Sequence, residues 1–167
     1  MKGDRRGFAE EAAEWVDYCN NPDNKLRNAN GEKPFNVKLW QIGNETSYIK
    51  NGFDAVTTAK KTAEFAKAML KADPGIKLMG WGDSGYIHAV MEEAGEYLDY
   101  LDYHNLFGQE LNRENSPLVG TEYLKDAAAT WDAMMNAYKY NEVKLARMRE
   151  DVKGYDVKLA LCESHFN

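Results

Sequence analysis

The chain has 167 residues, of which 44% are hydrophobic and 29% are charged, and its formal net charge is -6. This composition is typical of a globular chain with one sizeable core, and its acidity excludes the basic surface that nucleic acid or an anionic membrane would select. No apolar run approaches the ~20 residues that span a bilayer, and no signal-peptide core follows the N-terminal Met-Lys-Gly-Asp-Arg-Arg. We expect neutral substrates and no nucleic-acid or membrane partner. The sequence does not assign a cellular location, although it favours the cytoplasm.

The first half of the chain alternates between helical and strand patterns. Apolar residues at helical spacing predict an amphipathic helix over Phe8–Cys19, and a polar surface loop follows over residues 20–36. The β-branched, aromatic and aliphatic residues of Val37–Asn44 predict a short buried strand. A second helix is predicted over Phe53–Ala72, and Asp73-Pro74-Gly75 ends it because proline cannot continue the helical hydrogen bonds.

The second half continues the same alternation. Its predicted elements are, in order, a strand at Ile76–Gly80, a helix from Tyr86 to Ala94, a strand at Leu98–His104, a long helix over about Asp126–Val152 and a strand at Val157–Glu163. The long helix has an apolar stripe, including Trp131, Met135, Tyr138 and Met148, that we expect to be buried, with a break near Tyr140-Asn141.

This alternation predicts an α/β fold of about four parallel strands with crossover helices. A closed (β/α)8 TIM barrel typically takes ~250 residues, so residues 1–167 are expected to be the central part of a TIM-barrel catalytic domain. A complete, small, open α/β sheet is the alternative that the pattern leaves open. Missing strands would leave unpaired sheet edges, and we therefore expect the isolated residues to be inactive and prone to associate.

Two apolar runs each end on a glutamate. Trp40-Gln41-Ile42-Gly43-Asn44-Glu45 stops on an Asn-Glu pair, and Leu159-Ala160-Leu161-Cys162-Glu163 ends on Glu163. A carboxylate is a costly end to a buried strand unless chemistry requires it, and the strands of a barrel present their C-terminal ends at one face. The spacing therefore predicts a catalytic pair. The alternative for Glu45 is a helix-capping or surface glutamate. A non-catalytic role is a stronger alternative for Glu163 than it is for Glu45.

A family resemblance extends through these elements. Residues Phe35–Glu45 resemble the acid/base segment of family 51 glycoside hydrolases, the α-L-arabinofuranosidases of the large retaining (β/α)8-barrel clan. Ala13–Asn20 is similar to the helix that precedes this segment, and Phe65–Pro74 with Ile76–Leu78 to the helix and strand that follow it. The resemblance implies that Glu45 is the general acid/base and Glu163 the nucleophile, and that a β-sandwich accompanies the barrel.

The same resemblance implies an activity and a substrate. Retaining glycosidases work by double displacement with two carboxyl groups ~5 to 5.5 Å apart, and this family would release arabinose from plant polysaccharides or oligosaccharides. Within enzymes, the alternative is another retaining glycosidase of the clan, an endoglucanase or β-xylosidase. In a different class, the alternative is an incomplete, inactive barrel piece that binds carbohydrate. A homo-oligomer of the full-length protein is left open.

Four more residues are candidates for contact with the sugar. Asn44 would, by resemblance, hydrogen-bond a sugar hydroxyl beside the reaction centre, the alternative being a turn asparagine. His104 is expected at the site because family members carry a histidine there, although a structural histidine packed among aromatic residues is equally expected. Trp81 would stack on a sugar ring or pack in the core, and Tyr48, in the loop after Glu45, is the weakest candidate.

Other chemistries find little support in the sequence. Neither an HExxH motif nor paired-cysteine spacing is present, so we predict no metal and no cofactor. A serine nucleophile is not expected because the sequence has no GxSxG elbow. Cys19 and Cys162 are expected to be reduced, buried thiols, the alternative being a disulfide between them.

The chain departs from the family beside the expected sugar pocket. Asn105 and Leu106 stand where many members have an aromatic pair, and Ser164 stands where an aromatic residue is common. Cys162 occupies a position that is often threonine. The resemblance therefore defines the retaining mechanism more firmly than the preferred sugar.

Overall fold

The computed structural model describes residues 7–47, 52–83, 85–107 and 125–166. The described elements are, in chain order, α1 (Ala9–Asn20), α2 (Lys25–Ala29), β1 (Leu39–Ile42), α3 (Ala55–Ala72), β2 (Lys77–Trp81), α4 (Ile87–Ala94), a 3-10 turn (Gly95–Tyr97), β3 (Tyr100–Phe107), α5 (Ala127–Asn136), α6 (Tyr138–Asp151) and β4 (Lys158–Phe166). Among these helices, none combines the length and the apolar character that crossing a membrane requires.

The described strands form one sheet in the order β1-β2-β3-β4. β1 pairs in parallel with β2, where Gln41 lies opposite Met79, and β2 pairs in parallel with β3, where Trp81 lies opposite Asp102. An open doubly wound sheet reverses its strand order at a switch point, whereas the strands of a barrel follow one another in sequence. The order is therefore that of a barrel segment, and the prediction of an α/β fold with parallel strands and crossover helices is confirmed.

The chain divides into two compact units. The first comprises the described residues up to Asp102 together with Tyr155–Lys158, and the second comprises those of Tyr103–Gly154 and Leu159–Asn167. Strands β3 and β4 each begin in the first unit and continue in the second.

The core of the first unit lies between its sheet and α3, which contacts both α1 and α4. Buried Ala59, Ala63 and Ala66 follow one stripe of α3 at helical spacing. Gly80 on β2 leaves room for Leu98, because an added Cβ would lie 2.8 Å from Leu98 Cδ1, whereas Thr62 Cγ2 on α3, at 3.4 Å, would be in ordinary contact. Small residues thus line the buried side of α3 and the strand position beside Leu98.

The helices of the second unit differ from the prediction. The break falls at Ala137, which is both the C-cap of α5 and the residue before α6, and not near Tyr140-Asn141. The expected buried stripe is wrong for Trp131, Met135 and Tyr138, which are exposed, whereas Met148 is buried as expected. Ala137 is not a helix breaker, so the sequence carried no local signal for this break.

Several predicted boundaries also change. Residues 20–36 contain the short helix α2, whose start is capped by Asn24 as its side chain accepts a hydrogen bond from Arg27 N. β1 is shorter than Val37–Asn44 and buries only Ile42, since it lies at the end of the strand order and leaves Leu39 exposed. The expectation that Cys162 is buried is wrong, because its side chain is exposed, and the structure does not join it to Cys19 in a disulfide.

Candidate active site

The chain bends sharply where β1 ends. Gly43 has a φ of 76°. Glu45 has a φ of 47°, although it is not a glycine. Glycine adopts this left-handed region without penalty, but for other residues it costs on the order of 1–3 kcal/mol. At Gly43 an added Cβ would also lie 2.9 Å from Thr46 Cγ2. The Gly43-Asn44-Glu45 sequence is therefore matched to this bend, which places the carboxylate predicted to be catalytic directly after the strand.

Contacts from three other segments hold the loop that follows the bend. The hydroxyl oxygens of Thr46 and Thr58 are 3.3 Å apart, and Phe53 N donates to Thr46 O at 3.0 Å. Trp81 Nε1 donates to Ser47 Oγ at 3.2 Å, which joins the loop to the end of β2. The backbone around Glu45 is thus fixed on both sides, by the strand before it and by these bonds after it.

Gln41 contacts the bend from within β1. Its Nε2 donates to Gly43 O at 3.0 Å, to Asp102 Oδ2 at 2.7 Å and, at the longer distance of 3.4 Å, to Asn44 Oδ1. Asp102 is fully buried on β3. Sequence reasoning missed both residues, because a glutamine within a strand and an aspartate 61 positions later give no joint signal until the sheet register is known.

The second unit carries the other predicted carboxylate. Glu163 lies on β4 with its side chain 46% exposed, and its Oε1 is 3.6 Å from Nε2 of the buried His104. Lys144 on α6 donates from Nζ to His104 O at 2.5 Å, and the same ammonium group lies 6.0 Å from the ring centroid of Tyr103. The strand carrying the histidine is therefore fixed by a cation that the sequence did not single out.

The remaining predicted site residues fall in different environments. Asn44 is exposed at the bend, and Trp81 is fully buried, a position that favours its packing role while its role in sugar stacking stays a prediction. Tyr48 lies outside the described residues. His104 and Glu163 were expected at the last positions of their strands, but β3 continues to Phe107 and β4 to Phe166. Both side chains therefore project from within a strand.

The consecutive parallel strands, with an Asn-Glu pair at the carboxyl end of β1, define the class as a segment of an α/β barrel. Over residues 2–116, more than half of its length, the sequence matches the family described as Alpha-L-arabinofuranosidase 1 domain. The chain belongs to this family, and its resemblance to family 51 glycoside hydrolases is confirmed.

Individual relatives agree with this membership. Alpha-L-arabinofuranosidase C of Emericella nidulans is 38% identical over 86 residues, which cover 47% of this chain and 17% of that protein. Intracellular exo-alpha-(1->5)-L-arabinofuranosidase of Acetivibrio thermocellus is 29% identical over 136 residues, or 72% of this chain and 27% of that protein. The solved alpha-L-arabinofuranosidase of Thermotoga maritima, an arabinose complex, superposes with a TM-score of 0.73 and 28% identity, covering 96% of this chain and 32% of that one.

The chain thus spans 17 to 27% of the length of these two curated relatives and about a third of the solved structure. The matched residues 2–116 contain Glu45, whereas Glu163 lies outside them. Fold and family are established at this coverage, and the activity of the whole protein is a separate question.

Proposed function

We propose that this chain is part of a retaining glycoside hydrolase of the α-L-arabinofuranosidase type, which removes arabinose from plant polysaccharides or oligosaccharides. The observation that carries the proposal is the family match over residues 2–116, which includes the Asn44-Glu45 pair at the carboxyl end of β1. A sugar polymer without charge also suits the acidic chain, because it needs no basic binding surface.

In this proposal the two glutamates divide the work of a double displacement. Glu45 starts protonated and gives its proton to the leaving oxygen, while ionised Glu163 attacks the anomeric carbon and forms a glycosyl-enzyme ester. Glu45, now a carboxylate, takes a proton from water as that water attacks the ester, which releases the sugar and restores both groups. The retained configuration follows from the two inversions.

The local surroundings of each glutamate support these roles. A non-glycine residue keeps a strained positive φ only where the surrounding structure holds it in that conformation. Such residues concentrate at functional sites. Glu45 has this conformation and a loop held by several hydrogen bonds. Glu163 has a solvent-accessible carboxylate, which a nucleophile requires, and His104 approaches it to 3.6 Å, within ion-pair range when the imidazole is protonated.

Asn44, His104, Trp81 and Tyr48 are proposed to contact the sugar in the same enzyme. The exposed amide of Asn44 is available to a hydroxyl next to the reaction centre. For Trp81 the contact would need the indole to be uncovered, because the ring is fully buried here.

We further propose that residues 1–167 form the central part of a TIM-barrel catalytic domain, accompanied in the whole protein by further strand-helix units and a β-sandwich. The support is the coverage of only about a third of the solved relative. Activity assays therefore need the longest protein that the reading frame encodes.

The proposal is tested by removing the nucleophile in that protein. Glu163→Ala is expected to abolish hydrolysis of an aryl arabinofuranoside, and added azide should restore turnover because a small anion can occupy the space left by the carboxylate. Glu150→Gln, at a 72% exposed position on α6, is the matched control and should keep wild-type rates. Unchanged turnover in Glu163→Ala would remove this residue from the mechanism.

The same assay identifies the sugar. We expect faster hydrolysis of the aryl arabinofuranoside than of the matching xyloside or cellobioside. A preference for either of the latter would contradict the arabinofuranosidase assignment and favour another retaining activity of the clan.

A further inference from the structure

The buried carboxylate of Asp102 lies behind the candidate acid/base loop and is joined to it through one side chain. Asp102 Oδ2 accepts a 2.7 Å hydrogen bond from Gln41 Nε2, and the same nitrogen donates to Gly43 O at 3.0 Å and to Asn44 Oδ1 at 3.4 Å. A primary amide has two hydrogens, so one serves the carboxylate and the other is shared by the two oxygens of the bend.

The amide orientation follows from these partners. All three neighbours of Nε2 are oxygens, and the opposite orientation would set the amide oxygen against a carboxylate and a carbonyl. The bond to Asp102 is short and charge-assisted, a type roughly twice as strong as a neutral one. Because Asp102 is inaccessible to solvent, its carboxylate is held in one place. The hydrogen bond to this carboxylate in turn holds the side chain of Gln41.

The sheet register explains how the two residues meet. Gln41 lies opposite Met79 on β2, and Asp102 lies opposite Trp81, two residues further along the same strand. Residues two apart on a strand share a face, so Gln41, Met79, Trp81 and Asp102 are on one face of the sheet. The glutamine side chain therefore reaches past β2 to a carboxylate on β3, and this one hydrogen bond links β1 to β3.

The bond acts on the segment that carries the reaction. Gly43 and Glu45 both have positive φ values, and the bend they form costs free energy for Glu45. By holding the carbonyl of the first bend residue and the side chain of the second, Gln41 favours this conformation over an extended one. We propose that Gln41 and Asp102 are positioning residues that set the orientation of Glu45 for proton transfer and of Asn44 for its sugar hydroxyl.

This inference rests on the proposed function, in which Glu45 is the acid/base. The inference goes beyond the proposed function because it gives Gln41 and Asp102, which are not proposed to touch substrate, an effect on the rate of the reaction. A displacement of about 1 Å in a catalytic group can lower a rate by up to ~10²-fold, and general acid catalysis contributes ~10²- to 10⁴-fold. We therefore expect loss of the Gln41 amide to reduce acid-dependent turnover by about 10- to 100-fold.

The dependence of the rate on the leaving group separates positioning from general structural damage. Gln41→Met has a side chain of similar length without the amide. In the longest encoded protein, it should lower kcat/KM, which reports formation of the glycosyl-enzyme, about 10- to 100-fold for arabinosides with poor leaving groups, because these need the proton. For a highly activated aryl arabinofuranoside it should change kcat/KM less than about threefold. Reduced folding would lower both rates by the same factor.

A second variant tests the anchor. Asp102→Asn keeps an acceptor oxygen of the same shape but removes its charge, so it should show the same leaving-group pattern with a smaller loss. Leu39→Gln is the matched control, since Leu39 is exposed two residues earlier on the same face of β1; its leaving-group dependence should equal that of the wild type. If Gln41→Met and Asp102→Asn both retain the wild-type dependence, the positioning role is overturned.

Failure of the underlying function gives a different result. Glu45→Ala is measured beside these variants and should show the steepest leaving-group dependence of the set. If Glu45→Ala itself keeps the wild-type dependence, the acid/base assignment fails and the positioning role fails with it. If only the Gln41 and Asp102 variants keep it, the proposed function stands and the further inference does not.

Discussion

Glu45 occupies a left-handed backbone conformation that its own side chain disfavours, and the residues around it explain why it stays there. Gly43 begins the bend at no steric cost, Gln41 bonds to its carbonyl, and Thr46 is bonded to the backbone and side chain of neighbouring segments. At the residue scale, the candidate acid/base depends on a glycine whose added methyl would have no room. That dependence can be measured directly.

Gly43→Ala should lower the free energy of unfolding by about 1–2 kcal/mol, because alanine is disfavoured at a φ of 76°, and by a further amount for the contact with Thr46 Cγ2. Urea denaturation gives the loss. The double variant Gly43→Ala/Thr46→Ser lacks that methyl and retains the hydroxyl, so it should recover only the part due to contact. Thr46→Ser alone is the reference, and a Gly43→Ala protein as stable as wild type would contradict the strain argument.

At the scale of elements, Asp73 connects the end of α3 to the start of β1. Its carboxylate accepts hydrogen bonds from Lys38 Nζ at 2.8 Å, Gly75 N at 2.8 Å and Asn20 Nδ2 at 2.8 Å. The Lys38 bond, followed by that of the Gly75 amide, lowers the pKa of Asp73 below its usual value. A residue predicted only to end a helix therefore also joins three segments.

This lowered pKa predicts how stability depends on pH. The folded state prefers the ionised carboxyl, so the contribution is complete above the unfolded pKa of about 3.9 and is lost as pH falls through the lower folded pKa. Asp73→Asn should reduce the free energy of unfolding by about 1 kcal/mol at pH 7, and the difference should shrink in acid. Glu64→Gln, in an exposed pair with Lys61 on α3, should change stability less. A difference between wild type and Asp73→Asn that is constant with pH would contradict this account.

The elements themselves were largely predictable because most follow simple periodicities. α3 begins within two residues of its predicted start and ends at Ala72 as predicted, since Asp54 caps one end and Asp73-Pro74-Gly75 follows the other. The extent of β1 was not predictable, because the apolar residues Val37 and Leu39 indicate burial that a strand at the end of the sheet order does not provide. Likewise, α2 depends on one capping asparagine within a polar segment.

The site was predictable where its residues are adjacent in sequence and was missed where they meet only in space. Asn44 and Glu45 stand out as polar residues after an apolar run, and the structure places them in a bend directly after β1. The Gln41–Asp102 bond depends on register across three strands, and the Lys144 bond to His104 O depends on how α6 packs. Periodicity contains neither kind of information.

At the scale of the whole molecule, the account depends on two carboxylates that lie in different units of the chain. Their proposed roles rest on the chemistry of double displacement, in which the nucleophile forms a covalent ester with the sugar, and for Glu45 also on the family match over residues 2–116. Removing the acid/base slows hydrolysis of that ester more than its formation when the leaving group is good, because formation then needs no proton while hydrolysis still needs a base. The intermediate should therefore accumulate in a Glu45→Ala protein.

The most direct measurement is the mass of the peptides from the longest encoded protein carrying Glu45→Ala, quenched in acid after reaction with an activated aryl arabinofuranoside. The account predicts a stable adduct with the mass of one pentosyl group on the peptide that contains Glu163, and no adduct when Glu163→Ala is added to the same protein. An adduct on a different residue, or turnover in Glu45→Ala as fast as in wild type, would contradict the assignment of the two glutamates.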